Sequence, residues 1–297
     1  MATTTSLTTT YAGKVAGGYI RQAFLANDTL QHITLKENIE YKEKVRKLVD
    51  NVTFEAPTCA FTDSGTVTLS ERTLTLQQFQ VQRSVCKTTF LNDWEAKIAQ
   101  DQDMPSSFSE ALIANMLAGI AARNETLIWQ GASSTTEYDG FITLMLADAS
   151  VHDVATPVAI TKANVLAKIE ALIDACPLAV RRATERPKIY VASNVAEAFR
   201  RSQADLGNGW FFQSGSDIKM TWIGTYEIVE CPGMPDSNMV MAQPSNLWFG
   251  TNTLSQWNEV FTIDMQPVNG DKTLRYGAQF FAGAQFGFGS EIALYHP

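Results

Sequence analysis

The sequence lacks the short motifs on which most enzymes and metal-binding proteins depend. It contains no G-x-x-x-x-G-K-[ST] phosphate loop, no H-E-x-x-H zinc motif and no G-x-S-x-G nucleophile motif. The three histidines, His32, His152 and His296, lie in separate segments with no cysteine or carboxylate at ligand spacing. No pair of carboxylates suggests separate acid and base roles. We therefore predict no catalytic residue, no cofactor and no metal site.

Charged residues and cysteines are also scarce. Lys, Arg, Asp and Glu make up 18% of the chain, and the net charge of −8 argues against binding nucleic acid by neutralising phosphates. The first 50 residues carry seven basic and five acidic side chains, a balance of +2, which leaves −10 for the remainder. The four cysteines have no C-x-x-C spacing and predict free thiols, although Cys59 and Cys86 could face each other across the base of a hairpin.

Long hydrophobic runs are absent as well. No apolar stretch approaches the roughly 20 residues that a helix needs to cross a bilayer. Residues 1–10 are rich in Thr, with neither a basic start nor a hydrophobic core, so we predict no signal peptide there. With 45% hydrophobic residues, the chain of 297 residues is long enough for a large core, and two domains are favoured over one.

The most strongly marked element is a helix predicted over residues 105–131. Pro105 suits a first helical turn, and Gly131 supplies a stop. Apolar residues widen its hydrophobic face beyond one stripe, so we expect burial on more than one side. Gly119 lies in its middle, where glycine costs about 1 kcal/mol relative to alanine. We expect close packing at Gly119.

The segment before this helix predicts an arm and an extended hairpin. Thr34-Leu35-Lys36-Glu37 fits a capping box, which predicts a charged helix to about Asp50. Strands are predicted from Val52 onward, with a turn at Asp63-Ser64-Gly65. The apolar positions change phase between Leu76 and Phe79, which predicts a bulge near Gln77 and Gln78. Such a hairpin is marginal alone, so it either completes its burial on a neighbour or folds back onto its own domain.

The segment after the helix predicts a mixed α/β domain that begins at Phe141. It includes a helix over residues 161–175, a buried strand over 188–192, a helix over 195–203 and a strand over 220–230. Three arginines in a loop, at 181, 182 and 186, could bind phosphate or carboxylate, but a solvated loop or an intersubunit ion pair explains them more simply. Gly-Ala-Gln-Phe occurs at 277–280 and again at 283–286, which predicts a strand that packs under the long helix.

The order of these parts resembles the major capsid proteins of tailed bacteriophages, whose fold was first described for phage Hong Kong 97. Residues 108–140 resemble the family's spine helix and the Asp139-Gly140-Phe141 step that follows it. Trp222-Ile-Gly-Thr-Tyr-Glu-Ile-Val, Pro232-Gly-Met-Pro and Asn246-Leu-Trp-Phe-Gly250 are similar to the family's return between two domains. Cys59-Ala-Phe-Thr, Glu71-Arg-Thr-Leu, Cys86 and Trp94 resemble the extended loop of capsid proteins from phages of Bacteroidota, including crAss-like phages.

The resemblance implies an α+β, Hong Kong 97-like capsid fold with four parts. These are an N-terminal arm (1–50), an extended β-hairpin loop (51–95), a peripheral domain with the spine helix (96–140 and 251–297) and an α/β axial domain (141–250). It also implies a structural protein without enzymatic activity, assembled in the cytoplasm of a host bacterium as pentamers and hexamers into an icosahedral virion around double-stranded DNA. Portal and decoration proteins are implied partners. The short segment before the hairpin favours a separate scaffolding protein, or removal of a scaffold segment.

Two alternatives stay open on the sequence. An encapsulin-type compartment shares the fold but encloses protein cargo, and an aromatic-rich acidic chain also fits a glycan-binding or adhesion module. For the capsid interpretation, we expect the assembly interface to include positions on the hairpin, the spine helix and the arginine loop. These positions are Phe54, Asp63, Gly65, Glu71, Arg72, Phe79, Gln80, Gln82, Gly119, Arg181, Arg182 and Arg186.

Overall fold

A computed structural model describes residues 9–12, 16, 19, 20, 22, 24, 27–54, 56, 65–86, 107–155, 157–205, 222–252 and 258–297. The strands are β1 (Thr9–Ala12), β2 (Thr34–Lys36), β3 (Lys42–Val52), β4 (Gly65–Thr75), β5 (Gln77–Cys86), β6 (His152–Asp153), β7 (Lys188–Val191), β8 (Trp222–Ile223), β9 (Tyr226–Glu230), β10 (Met239–Ala242), β11 (Leu247–Thr251), β12 (Glu259–Asp264), β13 (Thr273–Phe286) and β14 (Ala293–Tyr295). The α-helices are α1 (Ser107–Gln130), α2 (Phe141–Leu146), α3 (Val165–Ala175), α4 (Leu178–Arg181), α5 (Ser193–Asp205) and α6 (Gln266–Asn269). Short 3-10 helices lie at η1 (Thr29–Gln31), η2 (Pro244–Asn246) and η3 (Gly289–Glu291).

The first sheet is organised around β13. β5 pairs antiparallel with β13 from Gln77 opposite Ala282 to Cys86 opposite Thr273, while β12 and β11 also pair antiparallel with it. β1 extends the sheet beyond β12, and β2 lies parallel to β11. The repeated glycines allow close approach, because a Cβ at Gly277 would lie 2.6 Å from the Val81 carbonyl oxygen and one at Gly283 would lie 2.4 Å from that of Thr75. This confirms a strand in the C-terminal segment.

The predicted helix from Thr34 to about Asp50 is wrong. β2 and β3 occupy that segment, and β3 pairs with β4 along its whole length, from Lys42 opposite Thr75 to Val52 opposite Gly65. The charged and β-branched residues of this segment are compatible with a strand as well as a helix, and the pairing with β4 decides the outcome. The hairpin is therefore β3 and β4, joined through residues 53–64.

The change of phase after Leu76 marks the end of one sheet and the start of another. Leu76 interrupts the strand pattern, and its backbone N–H donates to the Tyr41 carbonyl oxygen at 2.9 Å. β4 lies in the two-stranded hairpin before it, and β5 lies in the β13 sheet after it. The predicted bulge is therefore wrong. Leu74 and Leu76 are buried at the base of the hairpin, whereas Phe79 and Val81 pack against the main core. The apolar positions therefore shift from even to odd numbers where the chain passes from one sheet to the other.

The spine helix α1 is confirmed, and its described start is Ser107, since Pro105 lies outside the described residues. It packs on β13, as expected for the predicted C-terminal strand. Only the last turns are buried on several sides, because Asn124, Glu125, Ile128 and Trp129 are all buried there. Earlier turns bury one stripe of residues and expose the other side.

Gly131 ends α1 because another part of the backbone crosses it. A Cβ at Gly131 would lie 2.1 Å from the Tyr138 carbonyl oxygen and 2.8 Å from that of Leu127. The Gly140 N–H donates to the Gly131 carbonyl oxygen at 2.8 Å, which closes the turn that leads into α2. Glycine is required there for space.

The second sheet has the order β6, β14, β10, β7, β9, β8. Helices α3 and α5 pack against each other, and α3 also packs on β14 and β10, which gives the mixed α/β architecture that the sequence predicts. The strand predicted over 220–230 is wrong as a single element, because a turn at Gly224, with φ +59°, divides it into β8 and β9. Asn194, in the first turn of α5, accepts a hydrogen bond from the Ser237 N–H at 3.0 Å.

Several strands cross the domain limits expected from the sequence. β1 and β2 of the predicted arm and β5 of the predicted hairpin segment belong to the first sheet, while β3, which lies mostly in the predicted arm, forms the hairpin with β4. β11 belongs to the first sheet although it lies almost wholly within the predicted axial segment, and β14 belongs to the second sheet although it lies within the predicted peripheral segment. We propose the four-part division with these strands reassigned. Among the helices described, none is long and apolar enough to cross a membrane.

Candidate assembly interface

The hairpin of β3 and β4 carries exposed apolar side chains at its distal end. Val67 is 63% exposed and Leu69 is 59% exposed, and Phe54, just beyond β3, is 97% exposed. An 11-residue strand spans roughly 35 Å, so these side chains lie far from the base of the hairpin. Isolated two-stranded hairpins are marginal in water. We call Val67 and Leu69 the distal apolar patch.

Basic side chains lie on the same face of the hairpin, nearer its base. Arg46 pairs across the ladder with Glu71, which shares the face of Leu69 and Val67 because residues two apart point the same way. Lys44 Nζ lies 2.9 Å from Glu71 Oε1, and Arg46 Nε lies 3.4 Å from Glu71 Oε2. The hydrogen bond from Lys44 and the nearby cations lower the pKa of Glu71. Glu71 is therefore engaged within its own hairpin.

The base of the hairpin is anchored to the body of the molecule. Leu74 and Leu76 are buried with Ile39 and Trp248 in a small second core. Arg72 forms an ion pair with Asp148 and lies over the Phe286 ring, with Cζ 4.7 Å from its centroid. These contacts fix the base of the hairpin to the body of the molecule. The body therefore determines the direction in which the distal end of the hairpin extends. Arg72, which the sequence predicts at the assembly interface, makes these contacts within its own chain.

Asp148 remains ionised in this arrangement. Burial raises the pKa of Asp148, but hydrogen bonds from Ser150 and the interaction with Arg72 outweigh burial and hold its pKa below the ordinary value. The carboxylate can therefore keep its pairing with Arg72 at neutral pH.

A groove of about 1140 Å³ lies between the spine helix and β5. Its apolar walls include Phe79, Met116, Ile120, Tyr138 and Phe280, and its polar lining includes Gln78, Gln80, Ser84, Asn115 and Thr135. Among the described strands, β5 pairs with β13 alone, so its other edge faces this groove. Gln77 closes one end by donating from Nε2 to the Ser134 carbonyl oxygen at 2.7 Å.

The positions predicted for the interface are distributed over these features. Gly65 and Glu71 lie on the exposed hairpin, while Gln80 and Gln82 are exposed on β5. Phe79 is half-buried, with its ring centroid 5.9 Å from that of Phe280 and 6.0 Å from that of Tyr138. Asp63 and Cys59 lie outside the described residues, so the interface prediction for Asp63 and the pairing of Cys59 with Cys86 stay predictions. Cys176 and Cys231 are free and buried, as expected for thiols.

Gly119 faces open space rather than a packed neighbour. No atom of the described structure outside its own helix backbone lies within 4 Å of a Cβ built on Gly119, and the residue lines the groove. The expectation of close packing within the subunit is wrong, because the exposed side of α1 includes this position. A glycine there leaves the groove wider than any other residue would.

The arginine cluster begins at the end of α4 and contacts α3, so only Arg182 and Arg186 lie in the predicted loop. Arg181 Nη1 lies 3.5 Å from Asp174 Oδ1, and Arg186 donates to the Arg181 carbonyl oxygen. Arg182 is exposed. The structure does not bring these arginines to the hairpin or the groove, and their part in an interface stays a prediction.

Sequence reasoning missed the distal apolar patch, although the pattern contains it. In Thr66-Val67-Thr68-Leu69-Ser70 the apolar residues alternate with polar ones, as in a strand with one apolar face. Within the part of the chain that the structure describes, no group of three or more His, Cys, Asp or Glu could hold a metal ion. The exposed hairpin, the groove and the edge of β5 that is unpaired among the described strands are the candidate surfaces for protein contact.

Solved structures of phage capsids share this architecture. The capsid protein of an empty GTA particle is 16% identical with a TM-score of 0.59, over 89% of this chain and 87% of that one. The satellite phage P4 procapsid, which includes a size determination protein, is 14% identical with a TM-score of 0.58, over 94% and 98%. Mycobacterium phage Adephagia is 12% identical with a TM-score of 0.56, over 91% and 90%.

No protein-family model and no curated protein sequence matches the chain. The structural likeness nevertheless covers most of each chain, and the order of hairpin, spine helix, α/β domain and returning strand is the one predicted from the sequence. The molecule therefore has the fold of phage capsid proteins, the α+β Hong Kong 97-like fold.

Proposed function

We propose that this chain is a major capsid protein that assembles through pentamers and hexamers into an icosahedral shell around double-stranded DNA. The observation that carries the proposal is a projecting hairpin with exposed Val67 and Leu69 on a body with the phage capsid fold. A subunit working alone gains nothing from such a hairpin, whereas a second copy can bury its apolar end. The protein acts structurally and catalyses no reaction.

The groove beside the spine helix is the surface that we propose for the hairpin of a neighbouring subunit. It combines apolar walls with polar amides at the unpaired edge of β5, which suits a strand-like segment with one apolar face. Among the described residues, the groove lining also includes Arg83 and Arg123 and no acidic side chain. The proposed contact therefore rests on the apolar and amide groups of the groove and not on net charge.

A closed shell needs only modest contacts of this kind. An interface of roughly 800 Å² per partner is typical of specific protein complexes, and a closed lattice multiplies its effect. Because the body is acidic, it repels DNA, so the shell would hold DNA by enclosing it and not by adhering to it. A scaffolding protein, a portal and decoration proteins are the partners that we propose in addition, for a virion completed in the cytoplasm of a host bacterium.

Imaging the purified protein tests the proposal. We expect rings or closed shells in electron micrographs, alone or with a scaffolding protein. A monomer that binds glycans on an array would overturn the capsid function in favour of an adhesion module. Shells whose gene lies beside a cargo enzyme, without terminase and portal genes, would overturn it in favour of an encapsulin-type compartment.

Filling the groove at Gly119 tests its role in assembly. We expect Gly119→Leu to leave the subunit folded, and up to about 1 kcal/mol more stable, because leucine favours a helix more than glycine does. Shell yield should fall, because the leucine side chain occupies the space proposed for the neighbour's hairpin. Gly119→Ala is the matched control, with the same helix gain and little added volume. Equal shell yields for the two variants would contradict the proposed docking.

A further inference from the structure

The buried end of the spine helix contains a carboxyl group that has no counter-ion among the residues that the structure describes. Glu125 is only 7% exposed, and its Oε2 atom is buried without a hydrogen-bond partner. The Thr29 hydroxyl donates to Glu125 Oε1 and accepts a hydrogen bond from Trp129 Nε1 at 3.0 Å. Thr29 belongs to η1, and Trp129 lies one turn after Glu125 in α1. Glu125 therefore links the N-terminal segment to the spine helix.

A third segment closes over the same place. A Cβ at Gly233 would lie 2.0 Å from the Glu125 carbonyl oxygen, so the turn after β9 runs directly against α1. Gln130 Nε2 donates to the Gly233 carbonyl oxygen at 2.7 Å. Three segments that are remote in the sequence thus meet around one carboxyl group.

The groups around Glu125 do not neutralise it. Asp28, beside η1, acts on it as a like charge. Burial raises the pKa of Cys231 on the third segment and of Tyr138 after α1 far above neutrality, so both are uncharged. Within the described residues, none of the groups acting on Glu125 is basic. Among the residues described, only hydrogen bonds therefore stabilise a negative charge on Glu125.

The protonation of Glu125 is coupled to the stability of the junction. Burial raises the pKa of Glu125, while the Thr29 hydroxyl and the backbone amides of Thr29 and Gly233 offset part of that rise. A carboxyl group whose pKa is higher in the folded state destabilises that state once it ionises. Stability is therefore gained as the pH falls through the folded pKa towards the ordinary value of about 4.3.

We propose that Glu125 is a proton-sensitive latch, which holds Thr29–Gln31 and the turn around Gly233 on the spine helix when neutral and loosens them when ionised. The geometric basis is the buried Oε2 atom without a partner, the bond from Thr29 to Oε1, and the lack of a basic group among the described residues that act on Glu125. The latch operates within one subunit and does not depend on shell assembly.

Hydrogen exchange of unassembled full-length subunits tests the latch. Protection of the Thr29–Gln31 amides, corrected for intrinsic exchange rates, should rise from about pH 7.5 to about pH 5, by up to about tenfold per unit of raised pKa. Glu125→Gln should be well protected at both pH values. Glu170→Gln, an exposed change on α3, is the control and should keep the wild-type pH dependence.

Two results would overturn the latch: equal wild-type protection at both pH values, or an undiminished pH dependence in Glu125→Gln. If Glu125→Gln does not fold, Thr29→Val provides an independent test, because it removes the donor that favours the ionised carboxylate. The protection change should then move to higher pH, and an unmoved change would also overturn the latch.

Discussion

Replacing both residues of the distal apolar patch, Val67→Asp with Leu69→Asp, is expected to abolish shells while leaving a folded subunit. Both side chains are largely exposed in the single subunit, so the subunit core loses nothing. In an interface, each buried side chain of this size contributes about 1.5–3 kcal/mol, so the pair is worth at least about 3 kcal/mol per contact. That loss weakens each contact by more than about 100-fold. The loss compounds because each subunit of a shell makes several such contacts.

The measurement is shell yield by electron microscopy and sedimentation, with the unfolding temperature of the subunit as a check on folding. Thr68→Asp is the matched control, because Thr68 is exposed on the same strand but points to the opposite face. We expect the control to assemble. Normal shells from the double variant would show that the patch is not an assembly interface, while shell formation itself would still support the capsid proposal.

Gly131→Ala is expected to destabilise the subunit by at least about 3 kcal/mol, since a Cβ would meet two backbone carbonyl oxygens. Backbone atoms cannot move aside as a flexible side chain can, so the turn that joins α1 to α2 must open. For a chain of this size, the loss corresponds to a fall in Tm of roughly 5 °C or more.

Thermal and urea unfolding of the unassembled subunit measure this effect. Gly119→Ala in the same helix is the control with the opposite sign, because it adds a Cβ in open space and should stabilise by up to about 1 kcal/mol. If Gly131→Ala unfolded like the parent, the Tyr138 backbone would not lie as close to Gly131 as the structure places it.

The two glycines show what the sequence could and could not predict. The spacing of apolar residues predicts the spine helix, and a glycine at position 131 predicts its end. The reason for that glycine is the Tyr138 carbonyl oxygen, which only the fold brings to it. Gly119 looks equally significant in the sequence and faces empty space, because periodicity does not tell which side of a helix a neighbouring strand covers.

The pairing of strands is the second feature that the sequence could not predict. Lys42 to Asp50 fits a charged helix by its local residues, and only β4 makes it a strand. The groove arises because β5 and α1 both pack on β13, which is far from both of them in the sequence. The order of the elements was predictable because it rests on composition changes that are visible along the chain. The surfaces between those elements were not.

The pairing of β5 with β13 also determines how the subunit bears load. The chain passes from β4 through Leu76 directly into β5, so a pull on the hairpin reaches Gln77 along the backbone. β5 is held to β13 over ten residues, by hydrogen bonds that run perpendicular to the strands. Tension along β5 therefore acts on the whole ladder in shear and does not peel it one bond at a time. In a shell filled under pressure, such a joint would pass outward force from subunit to subunit without opening either domain.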